Sequence, residues 1–156
     1  MNNVTVNSEN ITLPSWSGSA CQFALKIIKE LKHDNWELSV LFCDDKTIQN
    51  LNFQYRNKNE PTDILSFNLG ETVKNENKTV YLAGDIVISL DTLRENARYF
   101  AIPEDEELRR LLIHGILHLN GMEHETIDPG EPMLILQEEI LNKYKNEIII
   151  PNGGNS

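Results

Sequence analysis

Apolar residues recur early in the chain at the spacing of one helical face. Ala20, Phe23, Ala24, Ile27 and Ile28 fall at i, i+3, i+4, i+7 and i+8, Leu31 extends the stripe, and Lys26, Lys29 and Lys32 lie opposite. The pattern predicts an amphipathic helix whose lysines solvate its outer face. Ser19 and Gln22 have the spacing of a capping box at its start. Glu37 to Cys43 alternates apolar with polar residues, as a half-buried strand does, and runs into Asp44-Asp45, an N-cap signal for a second helix. Ile48, Leu51 and Tyr55 share a face of that helix and Arg56 stands at its far end. Upstream, Val4-Thr5-Val6 and Ile11-Thr12-Leu13 are short β-prone pieces.

Asn57 to Asp63 has the turn residues of a loop. Ile64–Phe67 and Val80–Ile88 then read as two strands on either side of a polar hairpin loop. Ser89 can cap a helix carried by Leu90, Leu93, Ala97, Tyr99 and Phe100 as far as Pro103, where Glu104 to Glu107 suit the positive end of the next helix dipole. Leu108, Leu111, Leu112, Ile113, Ile116, Leu117 and Leu119 make that next helix apolar nearly all round, so it is expected at the centre of the molecule. Pro132 opens a closing helix through Leu134, Ile140, Leu141 and Tyr144. Strands and helices alternate irregularly and the one evident hairpin is antiparallel. The expected fold is α+β: a small mixed sheet covered by helices, with its strand order undetermined.

The length of 156 residues suits a single domain over 1–156, with about 1–10 and 150–156 expected to be loose. No apolar run approaches the roughly 20 residues that cross a bilayer, and the start lacks the basic and apolar regions of a secretory signal. A cytoplasmic location without membrane contact is expected. Cys21 and Cys43 have no CxxC partner and read as reduced structural residues. The N-x-[ST] matches at Asn3, Asn10 and Asn77 are short enough to arise by chance. A net charge of −10 argues against broad adhesion to nucleic acid or anionic membrane, so no DNA partner is expected and any nucleic-acid contact must be local. Arg56 and Lys58 lie in the more basic first half, and the acid is concentrated late.

The chemistry is concentrated in His114-Gly-Ile-Leu-His118-Leu-Asn-Gly121-Met-Glu-His124, which holds three of the chain's four histidines; His33 stands apart. Two histidines four residues apart project from one helix face and suit two positions of a tetrahedral Zn²⁺. A third ligand must come from beyond the helix, and Gly121 can take the left-handed conformation that turns His124 back. Three ligands leave one position open, as in catalytic zinc sites.

Such a zinc lowers the pKa of bound water and polarises a carbonyl or phosphoryl oxygen. Zinc peptidases with H-E-x-x-H keep a glutamate after the first histidine as proton carrier; position 115 is glycine, which weakens a peptidase reading. A phosphodiester needs a cation for its oxygens, and Arg56, where a helix gives way to a loop, is the best placed candidate. Asp85, after Gly84 in a strand, reads either as a carboxylate supporting a ligand or as a satisfied polar group near a bulge. Thr62-Asp63 reads as organising its loop.

Tyr55-Arg56 through Pro61-Thr-Asp-Ile-Leu-Ser-Phe67, Gly84-Asp-Ile-Val-Ile88 and the H-G-x-L-H-L-x-G-x-x-H run at 114–124 resemble, in order and spacing, the bacterial YbeY endoribonuclease family. The resemblance covers roughly residues 36 to 145. It implies a single-strand-specific, metal-dependent endoribonuclease of small-subunit rRNA maturation and ribosome quality control, with the small ribosomal subunit as partner. It also implies one zinc ion on His114, His118 and His124, with Arg56 in the same cleft. The chain departs from the family pattern at Glu123, where aspartate is usual, and at Asn68, where proline is usual. Glu123 keeps the charge with one more methylene and is expected to support the metal ligands from outside. A non-catalytic ribosome assembly factor with a structural zinc is the alternative.

Overall fold

The computed structural model describes residues 1–154. Its elements are β1 (Asn3–Ser8), α1 (Ser17–Glu30), β2 (Trp36–Cys43), α2 (Asp45–Arg56), β3 (Ile64–Asn75), β4 (Lys78–Ser89), α3 (Leu90–Phe100), α4 (Glu104–Leu119) and α5 (Pro132–Lys143), followed by a 3₁₀ turn at Pro151–Gly154. The sheet has the order β1-β2-β4-β3. β2 pairs parallel with both β1 and β4, and β3 pairs antiparallel with β4. Parallel neighbours need long crossovers, which α1 and the α2–β3 segment provide, whereas the antiparallel pair closes through a tight turn. The mixed sheet under helices is the α+β arrangement expected.

Period-two alternation decides which side of the sheet is covered. Trp36, Leu38, Val40 and Phe42 of β2 join Ile86 and Ile88 of β4 in the main core, which α1 and α4 complete. Leu112, Ile113, Ile116 and Leu117 of α4 are fully buried there, each contributing about 1.5–3 kcal/mol of apolar burial. Gly115 lets this helix lie close: a Cβ there would stand 2.9 Å from Ile86 Cδ1 and 3.1 Å from Ile64 Cδ1. The opposite face carries only a small cluster, Cys43, Leu65 and Val87 under Ile48 of α2.

The caps at Asp44 and Ser89 form as expected, with Thr47 N–H donating to Asp44 Oδ1 at 2.9 Å and Thr92 N–H to Ser89 Oγ at 3.4 Å. The Ser19 capping box does not form. α1 begins earlier, at Ser17, with Trp16 at the N-cap and no side-chain cap. Ile11 to Leu13 is loop rather than strand. The polar stretch read as a hairpin loop is mostly strand: β3 runs to Asn75 and β4 starts at Lys78, leaving Glu76 and Asn77 as the turn, with Glu76 at φ 55°. This exposed arm is held by ladder hydrogen bonds and not by burial, so it leaves no apolar pattern to read. Tyr99 and Phe100, read with the apolar residues of α3, project into solvent.

The ends are more ordered than expected. Six residues of β1 form a strand beside β2, with Val4 buried, so the first ten residues are not loose as a whole. At the other end the backbone N–H groups of Ile149 and Ile150 each donate to Asp105 Oδ1 at 2.7 Å, and Arg109 Nε donates to Asp105 Oδ2 at 2.9 Å. Asp105 is 2% exposed, so this anchor is sheltered from water. Positions 155 and 156, also expected to be loose, lie outside the described residues. Cys21 and Cys43 are free thiols, as expected.

Candidate metal centre and its cleft

Helix α4 brings His114 and His118 to its C-terminal end one turn apart, and the chain then reverses. Gly121 N–H donates to His118 O at 2.9 Å and Met122 N–H to Leu117 O at 3.1 Å, the two bonds of a Schellman ending, with Gly121 at φ 86°. The reversal returns His124 to the helix end as the glycine predicted. The rings of His114, His118 and His124 lie with centroids 4.5, 5.3 and 5.5 Å apart. One ligand nitrogen from each falls within 4.8 Å of the others. The Nε2 atoms of His114 and His118 are 3.0 Å apart, close to the edge of about 3.3 Å that a tetrahedron with Zn–N of about 2.05 Å requires.

The outward nitrogens decide which atoms face inward. His114 Nδ1 lies 2.6 Å from Gln137 Oε1, His118 Nδ1 3.0 Å from Met122 O, and His124 Nδ1 2.8 Å from Thr126 O. Each acceptor takes a proton from Nδ1, so each Nε2 presents a lone pair to the common centre. Burial pushes the pKa of His114 below the usual histidine value. Burial lowers His118 as well, with a further contribution from the neighbouring His114. Neutral imidazoles with inward lone pairs are the form that binds a metal. The donor set therefore fits a divalent ion such as zinc.

These histidines form one wall of a cleft of about 770 Å³. The facing wall is residues 64–68 of β3, whose outer edge is unpaired among the described residues because β3 ends the sheet, and Tyr55 and Arg56 close it at the end of α2. Arg56 is exposed and makes no ion pair among the described residues, which leaves its guanidinium available to a ligand. Asn57, with φ 58°, ends α2, and the buried Asn52 holds the following loop by donating from Nδ2 to Glu60 O at 3.0 Å.

Asp63 reaches the same cleft. It does organise its loop: its carbonyl accepts from Ser89 N–H at 3.0 Å, and its carboxylate accepts from Thr62 Oγ1 and Asn96 Nδ2, both at 3.4 Å. Burial pushes its carboxyl pKa up. Glu123 lines the cleft but, among the described residues, forms no hydrogen bond to the three rings. Ser39 Oγ donates to Asp85, which lies outside the cleft, so it is the satisfied polar group and not a support for a ligand. Gln137 is absent from any reading of the sequence, since a glutamine on another helix, 23 residues from His114, carries no local signal.

Three histidine nitrogens, an available guanidinium and a free strand edge around one cleft can hold a metal and an anionic substrate together. The sequence profile of the Endoribonuclease YbeY family matches residues 3–145. Proteins carrying that family's name include one from Treponema denticola, 53% identical over 125 residues that cover 80% of this chain and 81% of the relative. Another, from Treponema pallidum, is 43% identical over 145 residues, covering 92% and 91%. A third, from Borreliella afzelii, is 48% identical over 126 residues, covering 79% and 83%. A Thermotoga maritima protein of known solution structure shares the fold, with a TM-score of 0.63 at 24% identity over 98% of this chain and 96% of that one.

Proposed function

The chain belongs to the endoribonuclease YbeY family, and on that premise we propose that it is a single-strand-specific, zinc-dependent endoribonuclease. It acts in small-subunit rRNA maturation and ribosome quality control, in the cytoplasm, with the small ribosomal subunit as partner. His114, His118 and His124 hold one zinc ion, and Arg56 takes the phosphate. The observation that carries the reading is the convergence of one ring nitrogen from each of three histidines on a cleft that also holds an exposed arginine.

A zinc ion on three histidines supplies a Lewis acid and a water of lowered pKa. The chain supplies the rest. Gln137, Met122 O and Thr126 O keep the Nδ1 protons outward and the rings aimed. Arg56 presents a planar fork to two phosphoryl oxygens and stabilises the charge that grows on them. Position 115 argues against the peptidase reading, since it is a glycine without a proton carrier, and a Cβ there would stand against Ile86 Cδ1 and Ile64 Cδ1 where α4 lies close to the sheet.

The test is cleavage of a labelled single-stranded RNA by metal-analysed protein, beside Arg56→Ala and His118→Ala. About one zinc per chain, with cleavage lost in a folded Arg56→Ala, supports the nuclease. Equal cutting by all three points to a contaminant. The net charge of −10 keeps the assembly-factor reading in view. That reading predicts intact ribosome maturation in Arg56→Ala and an unfolded His118→Ala. End-group analysis separates direct hydrolysis from attack by the 2′-hydroxyl, which leaves a 2′,3′-cyclic phosphate.

A further inference from the structure

A second concavity, of about 470 Å³, adjoins the metal cleft on the face of the sheet that α2 only partly covers. Tyr55 and Phe67 line both spaces, and so form the ridge between them. Their rings meet edge to face, with centroids 5.2 Å apart at 68°. Phe67 packs against the small core cluster, whereas Tyr55 leaves 61% of its surface exposed at the lip. Beyond the ridge the groove is lined by Leu41 and Val87 of the sheet and Leu51 of α2, with the carboxylates Glu9 and Asp85 among them and Asp85 beside Phe67 in the β3–β4 register.

We infer that this ridge is a base-stacking platform: one base of a single strand bound in the cleft stacks on the exposed Tyr55 ring, which Phe67 braces edge to face, and enters the groove behind it. The inference rests on the nuclease reading and deepens it. Two features choose the occupant. The groove is lined by the carboxylates Glu9 and Asp85 and by no cationic side chain, whereas the cleft sets Arg56 and the three histidines beside its own Asp63 and Glu123, so the RNA backbone stays on the Arg56 side of the ridge. A base is uncharged and offers a π-face to an aromatic pair and an apolar floor, in any sequence. Bases within a duplex reach such a platform only by unpairing and unstacking, so the ridge gives the cleft a preference for single strands.

The test measures zinc-loaded protein with a labelled single strand and with the same strand carrying abasic nucleotides. Binding is followed by fluorescence anisotropy and cleavage is timed separately. Wild type binds the abasic strand about tenfold more weakly. Tyr55→Ala binds the ordinary strand about tenfold more weakly and no longer distinguishes the two, with the loss in cleavage falling on KM. Tyr55→Phe restores both. A Tyr55→Ala protein that binds the ordinary strand as wild type does, or still discriminates tenfold, overturns the inference and leaves the ridge to a protein partner. Base-dependent binding without any cleavage by wild type supports the platform and removes the nuclease reading instead.

Discussion

Gln137 Oε1 stands 2.6 Å from His114 Nδ1, across the contact between α5 and α4. The glutamine is held in turn, since its Nε2 donates to Glu138 Oε2 at 3.1 Å, and Glu138 accepts from Arg110 Nε and Nη2, both at 3.1 Å. Arg110 is on α4, so the two helices clamp the amide with its oxygen toward the histidine. Gln137→Met, which keeps the bulk but loses the acceptor, should lower zinc affinity about 10–100-fold while the fold survives. Competition with a chromophoric chelator reads this directly, and an unchanged affinity would show that the ring needs no external support.

Arg56→Ala should lower kcat/KM on single-stranded RNA by about 10²–10³-fold without changing zinc content. Arg56→Lys should recover only part, because an ammonium keeps the charge but not the planar fork. Steady-state kinetics beside metal analysis checks both. Full activity in Arg56→Ala would remove the residue from the reaction.

Burial lowers the pKa values of His114 and His118 below 6.5, so in the folded protein both rings stay neutral to a lower pH than in the unfolded chain. Their contribution to stability is therefore present above about pH 6.5 and is lost as pH falls through the folded values. Asp63, whose pKa burial raises, has the opposite sign: its contribution is present at low pH and lost as pH rises through its folded value. The histidine effect is isolated by comparing metal-free wild type with His118→Asn in thermal melts at several pH values. Wild type should lose stability relative to the variant on going from about pH 7 to pH 5. A pH-independent difference would mean that His118 is not shielded from protonation.

Gly84 has φ 143°, and a Cβ built on it would lie 2.0 Å from Phe67 O and 3.0 Å from Leu119 Cδ2. It pairs with Asn68, where the β3–β4 register shifts. Gly84→Ala must push β3 away at the wall of the cleft, and a destabilisation of about 2–4 kcal/mol is expected. Urea denaturation measures it. A loss below about 0.5 kcal/mol would show that β3 yields easily there.

The helices were legible wherever an apolar face repeats. α1, α4 and α5 follow from such spacing alone, and so do the caps at Asp44 and Ser89, because each depends on a side chain three residues from its backbone partner. The hairpin arm and the C-terminal anchor were not legible. Residues 68–79 face solvent and, apart from Leu69 and Val73, are polar or glycine, so that pairing and not burial makes strand of all but the turn at Glu76 and Asn77; Ile149 and Ile150 are fixed by Asp105, 44 and 45 residues away.

The sequence by itself determined the three-histidine cluster that could hold a metal, since a helix turn and one left-handed glycine carry His114, His118 and His124 to a common point with only local geometry. It also determined that position 115 holds no proton carrier. Tertiary structure decided which nitrogen of His114 faces inward, through Gln137, and it set Arg56, Asp63 and the Tyr55–Phe67 ridge around the histidines. The reason is separation along the chain. A helical repeat fixes neighbours within a turn, but the groups around this cleft come from α2, β3, α4 and α5, and only the packing of α4 onto the sheet brings them together.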